Sequence, residues 1–87
     1  MKRVLVVDDD RENIELLTQY LTHESLSVQS ASDAEGALHR LKAWKPHLIL
    51  LDVNMPGVTG LELIPKIRAV TEHDYVSVVL ISGAITL

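Results

Sequence analysis

Carboxylates follow two of the most apolar stretches of this chain. Asp8, Asp9 and Asp10 come directly after residues 4–7, and Asp52 comes directly after residues 48–51. Clustered carboxylates repel one another, and removing them from water is costly unless a cation or a hydrogen-bonding partner compensates. Two buried strands that both end in acid therefore indicate a site for a hard divalent cation, with one aspartate free to act as a nucleophile.

Magnesium suits this set of oxygen ligands. It prefers near-octahedral oxygen coordination and keeps several waters, so one or two carboxylates and a carbonyl suffice. We expect Asp9 and Asp52 to bind Mg²⁺ directly, Asp8 to bind it through water, and the main-chain carbonyl of Asn54 to complete the protein ligands. A carboxylate next to such an ion can accept a phosphoryl group, and Ser82, which ends the last apolar run, is placed to donate its hydroxyl to that group.

Alternating strands and helices must position these residues. Unbroken apolar runs at residues 4–7 and 48–51 predict buried strands, and the mostly apolar run at residues 75–81 predicts a further strand. The weaker alternation at residues 26–31 predicts a strand near a sheet edge. Helices are predicted from Arg11 to His23, from Asp33 to Trp44, and from a capping box at Thr59 and Glu62.

The helices carry apolar residues at helical spacing. The first places Ile14, Leu17 and Leu21 on one face, with Leu16 and Tyr20 beside that face. The second has Ala34, Ala37, Leu38 and Leu41 at core spacing, with Trp44 near its end, and the third carries Leu61, Ile64 and Ile67. Asp9 or Asp10 is expected to cap the first helix. Pro65 lies inside the third helix and predicts a kink or an early end.

The order of elements, βαβαβαβ, predicts an α/β fold with a parallel sheet covered by helices on both faces. Ligands of such folds bind beyond the carboxyl ends of the strands, where the strand order reverses. If the first strand is central, with the second on one side and the third on the other, the acids after strands one and three meet in one crevice.

Bulk composition limits the other functional classes. The chain has 87 residues, a net charge of −4 and eight Lys and Arg that are scattered rather than clustered, which argues against direct nucleic-acid binding by this segment. It has no cysteine, and its apolar runs are too short for a signal sequence or a membrane span, so we expect a single soluble, cytoplasmic domain. The four histidines, His23, His39, His47 and His73, share no metal-ligand spacing.

Three motifs in this chain resemble those of the receiver domain of two-component response regulators. They are residues 6–9 (VVDD), residues 52–56 (DVNMP) with Gly60 following, and residues 79–84 (VLISGA), in that order. The resemblance covers the whole chain, 1–87. It implies a flavodoxin-like three-layer sandwich with strand order 2-1-3-4, Asp52 as phosphoacceptor, Asp8 and Asp9 as magnesium acids, Ser82 as a switch hydroxyl, and a histidine kinase or phosphotransfer protein as the phosphoryl donor.

The chain departs from this family in length. Receiver domains continue for about another third, with a fifth strand, flanking helices and a lysine that bonds the phosphoryl group, and this sequence has no lysine after the fourth strand. We therefore expect the chain to match the N-terminal two-thirds of a receiver. Residues 75–81 then form an exposed, apolar sheet edge, which predicts marginal stability, or homodimerisation or strand exchange through that edge.

Two other functions were weighed from the same residues. Asp8 and Asp10 after a strand are similar to the acids of a metal-dependent phosphohydrolase of the haloacid-dehalogenase type, but Glu12 stands where that type has Thr or Val, and Asp52 is left without a role. Flavin binding is disfavoured because the first loop is acidic where a phosphate would lie. The phosphoacceptor reading accounts for more of the residues.

Overall fold

The computed structural model describes residues 1–72 and 75–81 of the chain. Its elements are, in order, β1 (Arg3–Val7), α1 (Arg11–His23), β2 (Ser27–Ala31), α2 (Ala34–Trp44), β3 (Leu48–Asp52), α3 (Gly60–Val70) and β4 (Ser77–Ile81). The four strands form one parallel sheet in the order β2-β1-β3-β4. The predicted α/β class and strand order are confirmed.

Alternation along the central strands creates a core on each face of the sheet. Val4 and Val6 of β1 pack with Leu21 of α1 on one face, whereas Leu5 and Val7 pack on the other face with residues of α2 and α3. Successive strand side chains point to opposite faces, so two completely buried faces require the unbroken apolar run seen in the sequence. The result is three layers, with α1 on one side and α2 and α3 on the other.

The first two helices follow the predicted boundaries, and Asp10 is the predicted cap of the first. The Asp10 side chain accepts from the Glu12 N–H at the start of α1, and the Asp33 side chain accepts from the Gly36 N–H at the start of α2. Lys45, which precedes a proline, leaves the helical region with φ 32°. In α1, Leu16 and Tyr20, which lie beside the face that contains Ile14, Leu17 and Leu21, are exposed.

Helix α3 does not end at Pro65 but continues to Val70, so of the predicted kink or early end the early end is not observed. Pro65 removes only the hydrogen bond to the Leu61 carbonyl, and Leu61 lies on a water-exposed face of the helix, where solvent can replace that bond. Of the apolar residues of α3, Leu61 is 60% exposed, while Leu63, which the sequence reading did not single out, and Ile67 are completely buried.

Strand β4 lies at an edge of the sheet and begins two residues later than predicted. Tyr75 is fully exposed, and the Val76 carbonyl accepts a hydrogen bond from the Arg68 guanidinium (2.7 Å). Ladder pairing with β3 starts at Ser77. Within the described residues, no helix is long and apolar enough to cross a membrane.

Candidate functional site

Three carboxylates meet at the carboxyl ends of the two central strands. Asp8 follows β1, Asp9 follows Asp8, and Asp52 is the last residue of β3. One carboxylate oxygen from each lies within 4.8 Å of the others, and we call these three residues the acidic cluster. Adjacent parallel strands bring their carboxyl ends to the same edge of the sheet, which is why residues 44 positions apart in sequence converge.

Asp8 is the most buried member of the acidic cluster, with no solvent exposure. Its Oδ1 accepts from the Asp10 main-chain N–H (2.9 Å), and its Oδ2 accepts from the Asn13 side-chain amide (3.4 Å). Burial raises the pKa of Asp8 above its ordinary value of 3.8, and the nearby Asp52 carboxylate raises it further, although the two hydrogen bonds oppose the rise. A negative charge on Asp8 is therefore unfavourable in the folded chain.

Asp52 is held by the turn that follows it. Its Oδ1 accepts from the Asn54 main-chain N–H (3.1 Å), and the residue is 6% exposed. One carboxylate oxygen is therefore positioned by the backbone, and the residue keeps a small exposed area. This combination suits a nucleophile that must meet an incoming reagent.

Gly60 brings the start of α3 against the end of β3. A Cβ on Gly60 would lie 2.7 Å from the Asp52 main-chain oxygen and 2.9 Å from Val53 Cα, and both neighbours are backbone atoms that cannot move aside locally. The Gly60 N–H donates to the Val53 carbonyl (3.0 Å). Only glycine permits this approach, which fixes the loop that carries Asn54.

Asp9 and Asp10 have different surroundings although they are adjacent and both exposed. Asp9 belongs to the acidic cluster. Asp10 caps α1 through its Oδ1, which accepts from the Glu12 N–H at 2.9 Å. Capping accounts for the Asp10 carboxylate, and this residue is not among the three acids that converge.

Sequence reasoning missed two residues of this site. It assigned no role to Asn13, which is buried and donates to Asp8, and it noted Gly60 only as part of a motif. A signal for Asn13 was available, since it lies four residues before Leu17 and therefore on the inward face of α1, where an amide needs a partner. The steric role of Gly60 depends on the meeting of β3 and α3, which helical periodicity does not reveal.

The chemistry of the acidic cluster fits a hard divalent cation. All three side chains offer carboxylate oxygen, the ligand type that Mg²⁺ prefers, and a cation at this point would offset their mutual repulsion. No other group of three or more His, Cys, Asp or Glu residues in the described ranges has this closeness. Ser82, the predicted switch hydroxyl, lies outside the described residues.

Comparison with known proteins places this site in context. The model of the response regulator receiver domain family matches residues 4–86. The chain is 42% identical over 82 residues to the nitrogen assimilation regulatory protein NtrX of Azorhizobium caulinodans, covering 92% of this chain and 18% of NtrX. It is 40% identical over 67 residues to the alkaline phosphatase synthesis transcriptional regulatory protein PhoP of Bacillus subtilis, covering 77% of this chain and 28% of PhoP. The chain thus spans less than a third of either relative.

Solved structures show the same fold. The response regulator TrrA of Thermotoga maritima, in complex with Mg²⁺ and BeF, is similar with a TM-score of 0.84 and 35% identity over 94% of this chain and 70% of TrrA. A complex of the histidine kinase ThkA with TrrA contains a chain that matches with a TM-score of 0.84 and 35% identity, over 99% of this chain and 72% of that one. On the family model, the relatives and the fold together, this chain belongs to the response regulator receiver domain family.

Proposed function

We propose that this chain is a signalling receiver that accepts a phosphoryl group on Asp52. The observation that carries the proposal is the convergence of Asp8, Asp9 and Asp52 within 4.8 Å at the ends of β1 and β3. Family membership supports it, because receiver domains act in two-component signalling as phosphoacceptors. The chain is then a substrate and switch rather than an enzyme with turnover on an external molecule.

In the proposed reaction a carboxylate oxygen of Asp52 attacks the phosphorus of a phosphohistidine. A new O–P bond forms while the P–N bond to the donor imidazole breaks, and that imidazole leaves with the bonding electron pair and takes up a proton. The Asn54 N–H holds the other Asp52 oxygen, so the attacking oxygen is oriented before the donor arrives.

We assign Mg²⁺ to the acidic cluster, with Asp9 and Asp52 as direct ligands, Asp8 through water, and the Asn54 main-chain carbonyl as a further ligand. When bound, the ion neutralises charge on the acids and on the transferring phosphoryl oxygens. The complex of TrrA with Mg²⁺ and BeF supports this assignment by analogy. Ser82 is proposed to donate its hydroxyl to the phosphoryl group.

We propose a sensor histidine kinase or phosphotransfer protein as the donor, and the ThkA–TrrA complex supports a partner of that kind. A cytoplasmic location and the absence of direct nucleic-acid binding by this segment stay predictions from the sequence. The extent of the domain, with residues 1–87 forming the N-terminal two-thirds of a receiver, is also a proposal, supported by the 70% and 72% of the two Thermotoga chains that this sequence covers.

Intact mass spectrometry tests phosphorylation. The chain is incubated with a small phosphodonor, with and without Mg²⁺, beside Asp52→Asn, Asp8→Asn and, as a matched control, Asp33→Asn, which keeps a good helix cap. We expect one added phosphoryl group that requires Mg²⁺, is absent in Asp52→Asn and is retained in Asp33→Asn. Modification that persists in Asp52→Asn and vanishes in Asp8→Asn would instead favour the phosphohydrolase alternative.

A second proposal concerns β4, and a specific observation favours it. Of the described strands β4 pairs only with β3, and Val79 and Leu80 are 46% and 40% exposed. A strand with free backbone groups and apolar side chains on one edge can pair with an identical strand. We propose that two copies of this chain associate along β4.

Light scattering over a range of concentrations tests this association. We expect the mass to rise with concentration, Val79→Lys to hold the chain as a monomer, and Leu16→Lys, at an equally exposed residue of α1 (46%), to have no effect. A monomer at every concentration, or equal effects of the two lysines, would contradict self-association through β4.

A further inference from the structure

His47 joins three strands at the end of the sheet opposite the acidic cluster. It lies between Pro46 and β3. Its N–H donates to the Arg3 carbonyl (2.8 Å), and its carbonyl accepts from the Ser77 N–H (3.1 Å). The backbone of His47 therefore continues the ladder that links β1, β3 and β4.

The imidazole adds a further bond to the same partner. Nδ1 of His47 accepts from the Arg3 main-chain N–H at 2.9 Å. An accepting Nδ1 carries no proton, so this geometry requires the neutral ring with its hydrogen on Nε2. The Arg3 side chain completes the connection, because its Nε donates to the Lys45 carbonyl at 2.9 Å.

The charges around the ring oppose its protonation. Partial burial lowers the pKa of His47 below its ordinary value of 6.5, and Arg3, Lys2 and the amino terminus of the chain lower it further. Within the described residues the charges that act on the ring are all positive, Arg3 and Lys2 coming from β1 and the residue before it, while β4 presents the uncharged Ser77. A second proton, on Nδ1, would point at the Arg3 N–H and would add positive charge beside Arg3 and Lys2.

We propose that His47 is an acid-sensitive link between β1 and β3, whose neutral ring accepts the Arg3 main-chain N–H at Nδ1 and loses this bond when Nδ1 is protonated. A protonated Nδ1 and the Arg3 N–H are both donors and cannot bond to each other. The inference is independent of phosphorylation, since it concerns the opposite end of the sheet. It does bear on the acidic cluster, because β1 and β3 carry Asp8 and Asp52.

The sign of the pH dependence follows from the direction of the shift. The unfolded chain protonates His47 near pH 6.5, whereas the folded chain resists protonation to a lower pH. The contribution of His47 to stability is therefore present above pH 6.5 and is lost as the pH falls through the folded pKa. Between the two pKa values one extra proton binds the unfolded chain, so the folding equilibrium constant falls by at most about tenfold per pH unit.

Urea unfolding of the chain between pH 5 and 8 tests the link, in wild type and in His47→Asn. The asparagine Oδ1 occupies a position close to that of Nδ1 and can accept from Arg3 at every pH. We expect the folding equilibrium constant of the wild type to fall below pH 6.5 relative to that of His47→Asn. His23→Asn and His39→Asn, at exposed helical histidines, and His73→Asn serve as controls and should keep the wild-type pH dependence. Equal pH dependence of wild type and His47→Asn would overturn the proposal.

NMR on the wild type gives an independent readout if a variant fails to fold. We expect the His47 ring to carry its proton on Nε2 at neutral pH and to titrate below pH 6.5. The Arg3 amide should shift and lose hydrogen-exchange protection along the same titration curve. An Arg3 amide that stays protected while His47 protonates, or a ring protonated on Nδ1 at neutral pH, would overturn the link.

Discussion

Replacement of Asp8 by asparagine is expected to stabilise the fold when no divalent cation is present. Asp8 is completely buried and lies beside Asp52 in the acidic cluster, so its negative charge is unfavourable at neutral pH. Asparagine has nearly the same shape and keeps an oxygen for the Asp10 N–H. The Asn13 amide can turn over to present its oxygen to the new side-chain NH₂.

The magnitude follows from the geometry. Two unit charges at most 4.8 Å apart repel by roughly 3 kcal/mol or more at an effective dielectric constant of about 20. Because Asp8 also loses two charge-assisted hydrogen bonds, we expect a net gain of about 1–2 kcal/mol in the free energy of unfolding. The folded-state pKa of Asp8 is raised, so the fold favours the protonated carboxyl over the carboxylate. The stability that the protonated form contributes is present below pH 3.8 and is lost as the pH rises through the folded-state pKa. The advantage of Asp8→Asn should therefore be full at neutral pH and vanish toward pH 3.8.

Urea unfolding with and without Mg²⁺ measures both effects. Wild type should gain stability with Mg²⁺, by about 2.7 kcal/mol at a concentration one hundred times the dissociation constant, and Asp8→Asn should gain less. Asp33→Asn removes a carboxylate outside the acidic cluster and should leave the Mg²⁺ response unchanged. If Asp8→Asn is destabilised without Mg²⁺, or gains as much from Mg²⁺ as wild type, the electrostatic account of the cluster is wrong.

Two further predictions concern the elements that support the site, and each can be checked by urea unfolding. Gly60→Ala forces a Cβ against the backbone of Asp52 and Val53, so it should lower the free energy of unfolding by about 1–3 kcal/mol and reduce phosphorylation by displacing the loop after β3. The control Gly57→Ala has open space around its Cβ but φ +84°, so it should lower the free energy of unfolding by less and leave phosphorylation intact. In α3, Leu63→Ala should lower the free energy of unfolding by about 2–5 kcal/mol because Leu63 is fully buried. Leu61→Gln, at a 60% exposed position, should change it by less than about 0.5 kcal/mol. Similar losses of stability at both positions would contradict the observed face of the helix.

The residue pattern alone predicted the strands that are buried on both faces of the sheet, because such strands are unbroken runs of apolar residues. The unbroken apolar runs before Asp8 and Asp52 predicted central parallel strands, and the convergence of Asp8, Asp9 and Asp52 followed from the rule that parallel strands end at one edge. That rule needs only the strand order, and the resemblance to receiver domains provided it.

Prediction failed where a tertiary contact decides the outcome. Helical spacing does not distinguish Leu61 from Leu63 on a helix whose apolar residues extend around several faces, and only packing of α3 against α2 and the sheet selects Leu63. Strand β4 begins at Ser77, and the Val76 carbonyl just before it accepts a bond from Arg68, a contact that no local pattern indicates. The role of His47 likewise depends on β1, 44 residues away in sequence.

The central claim is that Asp52 is the residue that carries the phosphoryl group. Reduction with borohydride converts an acyl phosphate of aspartate to homoserine, so peptide sequencing after phosphorylation and reduction identifies the acceptor. We expect homoserine at position 52, formed only when Mg²⁺ was present during phosphorylation. Homoserine at position 8, 9 or 10 with an unmodified Asp52 would contradict it.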